Sequence, residues 1–117
     1  MSYHVRIKQL PGVISSACLL LFAFNAYANI DVESAKALAR QNSCFKCHSI
    51  EKDKDGPAYT KVAAKYRGKA DAQERLIAHI TSGEKATFPD GHEEEHKIIK
   101  TKDKAEIKNL VDWILSL

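Results

Sequence analysis

Methionine is almost missing from this chain: Met1 is the only one in 117 residues. A protein processed at its amino terminus therefore has no thioether to offer a metal centre. Glycine and proline number only five and three, and none of them builds a glycine-rich phosphate loop, so nothing supports nucleotide binding. A basic groove studded with aromatics is also lacking, which removes the argument for nucleic acid. The longest mostly apolar stretch, Val13 to Phe24, falls short of the ~18–20 residues that a membrane-spanning helix needs. Repeats, low-complexity segments and a βαβ alternation are absent too.

That apolar stretch has a different reading. Arg6 and Lys8 precede it and Ala26-Tyr27-Ala28 follows it, the layout of a secretory signal peptide cleaved after Ala28. A retained membrane anchor is the lesser alternative. Ile14-Ser15-Ser16-Ala17-Cys18 matches a lipoprotein box only weakly, so Cys18 is expected to leave with the peptide. Residues 29–117 then form one small domain with 16 basic and 15 acidic residues, a formal charge of +1 rather than the +3 of the whole chain. A core of that size gains from a covalent staple or a large apolar cofactor.

Cys44-Phe45-Lys46-Cys47-His48 supplies the means. Cys-x-x-Cys-His is the attachment signature of c-type haem: two thiols about one helical turn apart each add across a porphyrin vinyl group, and the adjacent histidine lies under the iron. Around it the chain reads as helical. Asp31 caps a first helix that runs to about Gln41 with Val32, Ala35, Leu38 and Ala39 on one face. A solvated loop ends in Gly56-Pro57, which is either only a turn or a backbone acceptor, at the Pro57 carbonyl, for the other N–H of a ligating imidazole. Ala58 to Tyr66 forms a second helix stopped at Gly68. A third starts after Asp71, with Leu76, Ile77 and Ile80 on its face, and ends at Gly83.

His79 lies beside that face as a boundary residue. From Glu84 to Lys100 no helical or strand period stands out; Phe88-Pro89-Asp90-Gly91 is turn chemistry and Glu93 to Glu95 a charge run. The last helix carries Ile107, Leu110, Val111, Ile114 and Leu115, with Asp103 and Glu106 at capping-box spacing and Trp113 as a large core residue.

Three rival sites were weighed against the haem. His92-Glu93-Glu94-Glu95-His96 spells the H-E-x-x-H zinc-protease pattern, but its flanks are polar and so small a domain leaves little room for a cleft. Zinc held by Cys44, Cys47, His92 and His96 would separate its ligand pairs by 44 residues, far more than a compact finger uses. A Cys44–Cys47 redox disulfide would want a βαβ context.

With helix, motif and export signal combined, the sequence resembles the small soluble bacterial class I cytochromes c. The resemblance rests on the helix before Cys44-Phe45-Lys46-Cys47-His48, on Gly56-Pro57-Ala58-Tyr59 with Val62-Ala63-Ala64-Lys65-Tyr66, and on Leu110-Val111-Asp112-Trp113-Ile114-Leu115. It implies an all-α fold wrapped around one covalent haem c. It further implies His48 as proximal ligand, the Pro57 carbonyl on its imidazole, Trp113 packed near the haem and His79 near a haem propionate. The family's distal methionine has no counterpart. The loop where it belongs holds His92, His96 and Lys97, and imidazole is a good iron ligand. His96 is the expected sixth ligand and His92 the fallback; Lys97 or an open position are the remaining choices.

An iron with two strong protein ligands exchanges electrons and does little bond chemistry. The expectation is a periplasmic electron carrier, not an enzyme, since no acid, base or nucleophile constellation accompanies the haem. Its partners would be redox proteins docking at the haem edge, steered by Lys46, Lys52 and Lys54. The alternative is a haem-based gas-binding or sensing protein with an open or displaceable distal site.

Overall fold

The computed structural model describes residues 29–117; the signal-peptide reading of residues 1–28, with Cys18, lies outside them. Four α-helices, one short 3-10 turn and one small hairpin follow in order. They are α1 (Val32–Gln41), the 3-10 turn Cys44–Lys46, α2 (Tyr59–Tyr66), α3 (Ala72–Ser82), β1 (Lys85–Thr87), β2 (Glu93–Glu95) and α4 (Lys104–Leu115). No helix among the described residues is long and apolar enough to cross a membrane.

Local chemistry sets the helix ends. The Asp31 carboxylate accepts from the Ser34 backbone N–H at 2.9 Å, satisfying one of the unpaired donors of the first turn of α1. Asp103 does the same for Ala105 and Glu106 at the start of α4. The Glu106 carboxylate does not reach back to Asp103 itself: it accepts from the Thr101 hydroxyl at 2.7 Å, which in turn accepts from the Asp103 N–H. A hydroxyl thus bridges the box that the spacing announced. Gly83 ends α3 at φ 72°, a left-handed conformation that glycine adopts without a Cβ penalty.

Helix α4 is the hub against which α1, α2 and α3 all pack. Its buried Leu110, Val111, Trp113 and Ile114 meet Ala35, Leu38 and Ala39 of α1, Tyr59 of α2 and Leu76 of α3 in one core. Polar bonds lock the same contacts. Asn109 exchanges two hydrogen bonds with the Asp31 backbone, at 2.9 and 2.8 Å, across 78 residues of sequence. Buried Asn42 donates to the Leu38 carbonyl and accepts from the Lys100 N–H, both at 2.9 Å, fastening the end of α1 to the segment entering α4.

The segment 84–100 is not devoid of regular structure. β1 and β2 pair antiparallel, Lys85 with Glu95, Ala86 with Glu94 and Thr87 with Glu93, closed by the turn Phe88 to Gly91. Three exposed glutamates give no alternation of burial, so the strand was invisible to a reading that relies on period two.

Candidate haem site

A cleft of about 540 Å³ opens between the Cys44–Lys46 turn, α3 and the hairpin, within the size range of cofactor sites. Its floor is apolar, from Val62, Leu76, Ile80, Ile99, Leu110 and Ile114. Ser43, at φ 59°, breaks the chain out of α1, so that Cys44 and Cys47 both line this cleft on one tight turn, with no disulfide between them. The turn is 3-10 rather than α: the Cys44 carbonyl accepts from both Cys47 and His48 N–H, at 3.2 and 3.0 Å. Burial pushes the Cys44 thiol up from its ordinary value.

His48 is held from three sides. Its Nδ1 donates to the Pro57 carbonyl at 2.8 Å; a carbonyl only accepts, so the ring proton sits on Nδ1 and Nε2 keeps its lone pair. The Tyr59 ring stacks on it at 5.1 Å and 21°. Gly56 lies flat against it: a Cβ built there would fall 2.5 Å from His48 Cε1. Burial lowers the His48 pKa, favouring the neutral ring that a metal requires.

Across the cleft stands His96. Its ring centroid is 6.2 Å from that of His48, its Nδ1 donates to the Lys97 carbonyl at 3.0 Å, and burial lowers its pKa as well. His79 lies beside it, the two rings 4.1 Å apart. Its Nδ1 donates to the Glu84 carboxylate at 2.5 Å. Lys97 is exposed on the rim of the same cleft.

One expected residue sits elsewhere. His92 is at the hairpin tip, outside the cleft lining, stacked on Phe88 at 4.3 Å and bonded to Asp90 and Glu94. Asp90 holds its pKa above the usual histidine range. Trp113 is buried in the core, edge-on to Tyr59 at 5.8 Å. The zinc readings fail on the same geometry. His92 and His96 flank a strand, not a helix, where four residues span roughly 13 Å. Among the described residues, no three of His, Cys, Asp and Glu converge as metal ligands.

Tyr59, Gly56 and Glu84 are site residues that sequence reasoning missed. Tyr59 was legible as a core position and Gly56 as a turn; nothing local marks Glu84, whose part comes from tertiary placement.

Paired thiols, an imidazole with a free Nε2 and an apolar slot between them suit a covalently bound iron porphyrin. The comparisons agree. A family model described as cytochrome c matches residues 32–117. The chain is 42% identical over 86 residues to cytochrome c-551 of Allochromatium vinosum, spanning 68% of this chain and 82% of that protein. To cytochrome c-552 of Nitrosomonas europaea it is 34% identical over 106 residues, 91% of this chain and 93% of the relative. Among solved structures, Class 1 cytochrome MtoD from Sideroxydans lithotrophicus ES-1 superposes with a TM-score of 0.73 at 68% identity, covering 75% of this chain and 97% of that one. The chain belongs to the cytochrome c family. It is a small class I monohaem c-type cytochrome, with one haem c attached covalently through Cys-x-x-Cys-His at Cys44, Cys47 and His48.

Proposed function

We propose that the protein is a periplasmic single-electron carrier whose iron is held by His48 and His96. The haem supplies a one-electron iron couple; everything else is done by the chain. Cys44 and Cys47 fix the porphyrin, Pro57 and Gly56 orient the proximal ring, and the apolar floor excludes water. The observation that carries the reading is the His48–His96 spacing. Imidazoles sharing one metal at about 2.0–2.1 Å from each Nε2 have ring centroids roughly 6 Å apart, and these stand at 6.2 Å. Both rings carry their proton on Nδ1 and so leave the Nε2 lone pair for a metal.

Bis-histidine ligation removes the thioether that raises haem potential, so the carrier works below its methionine-ligated relatives. Export by residues 1–28 places it in the periplasm. Redox partners dock at the haem edge, steered by the exposed Lys46 and Lys52; Lys54 is tied back to the Phe45 carbonyl at 2.6 Å. Carbon monoxide titration of the reduced protein tests the function. A closed carrier does not bind it at micromolar concentrations, whereas a gas-binding protein does.

A further inference from the structure

We propose that His79 is a reserve axial ligand, a second imidazole on the distal wall that takes the iron when His96 leaves it. The inference rests on the haem reading above and adds a residue to that site. His79 and His96 both line the cleft, with rings 4.1 Å apart and inclined at 45°. A carboxylate only accepts, so His79 donates its Nδ1 proton to Glu84, and in its neutral form the ring keeps the Nε2 lone pair. A lone pair is what a metal takes. His79 is thus in the same tautomer as His48 and His96, with the carboxylate partner that metal-bound histidines favour.

Glu84 serves both distal histidines. Its side chain holds the His79 ring, and its carbonyl accepts the His96 N–H at 2.9 Å. One turn back, the Ile80 carbonyl accepts the Ile99 N–H, also at 2.9 Å. Gly83 lets the two segments close on each other: a Cβ there would meet Ile98 Cδ1 at 3.1 Å. His79 and His96 therefore ride on one hydrogen-bonded unit, and exchange between them needs side-chain rotation rather than unfolding of the loop. In the exchange the iron–Nε2 bond of His96 breaks and that of His79 forms. Exchange between the two neutral rings releases no proton and no electron. The iron keeps a nitrogen/nitrogen donor set and stays closed to small ligands.

The test compares the holoproteins His79→Asn, His96→Ala and the double variant by electron paramagnetic resonance and by carbon monoxide affinity of the reduced form. His79→Asn is expected to stay low-spin. His96→Ala should also be low-spin, with altered g values, whereas the double variant is high-spin. A reserve ligand that occupies the iron in nine-tenths of the molecules lowers apparent affinity about tenfold, so His96→Ala should bind carbon monoxide at least about tenfold more weakly than the double variant. Equal high-spin content and equal affinity in those two overturn the proposal and leave the His96 assignment standing. A high-spin His79→Asn makes His79 the resident ligand and overturns the order assigned here. Low-spin iron in both His96→Ala and the double variant removes both histidines and overturns the function's ligand set with the proposal. Should the double variant fail to hold haem, Glu84→Ala in the His96→Ala background gives the same answer: affinity rises several-fold as the tautomer is released, and unchanged affinity overturns the proposal.

Discussion

Replacing Gly56 by alanine probes the proximal side with one methyl group. Its Cβ would lie 2.5, 2.8 and 3.0 Å from Cε1, Nδ1 and Nε2 of His48, and carbon atoms meet comfortably only at about 3.5–4.0 Å. The ring cannot yield freely, because its Nδ1 is bonded to Pro57 and it is stacked on Tyr59. Nor can Gly56 retreat without losing its N–H bond to the Cys47 carbonyl at 2.7 Å. Overpacking costs about 1–3 kcal/mol and a lost hydrogen bond about 1 kcal/mol, so the loss should be about 2–4 kcal/mol. In a domain of this size that lowers the melting temperature by roughly 10–25 °C. Thermal unfolding of the holoprotein followed at the haem band measures it, and the optical spectrum should shift as the imidazole tilts. Gly68→Ala is the control: φ is 77° there but nothing lies within 4 Å, so only the left-handed penalty of about 1–2 kcal/mol applies and the spectrum stays put. A Gly56→Ala protein as stable as its parent, with the same spectrum, refutes the packing argument.

Asn42→Ala strands the Lys100 N–H, while the Leu38 carbonyl keeps the residue-42 backbone N–H; urea unfolding should show a loss of about 1–3 kcal/mol. His92 should titrate above the ordinary histidine range and Asp90 below the carboxylate range, as followed by NMR. Because the folded His92 pKa is raised, that pair favours the fold below the unfolded histidine pKa, and the contribution fades as pH rises through the raised value. His92→Ala should leave the iron low-spin, and a high-spin product would return His92 to the ligand set. Electron transfer to an acidic partner should slow as salt rises and slow further with Lys46 and Lys52 replaced by glutamine; rates indifferent to ionic strength would remove these lysines from docking.

The four helices could be read from the chain because each is a period-3.6 stripe bounded by local chemistry: Asp31 and Asp103 at the starts, Gly83 at an end. The attachment motif was legible for a similar reason, its chemistry being confined to five consecutive residues. Pro57 sat within the same local reach, nine residues from His48. What escaped depends on contacts between distant segments. The hairpin hides because β2 is exposed on both faces. The choice between His92 and His96 was a matter of counting in sequence. In space it depends on the hairpin, which carries His92 out to the tip and returns His96 to the end of α3, where Glu84 meets it.

The most direct test of histidine–histidine ligation is NMR of the ferric holoprotein labelled with nitrogen-15 in histidine alone. Two imidazoles bound to a paramagnetic iron should give two sets of ring nitrogen signals displaced far from the diamagnetic range, from His48 and His96, while His79 and His92 stay near it. A single displaced set, from His48 only, would contradict the account.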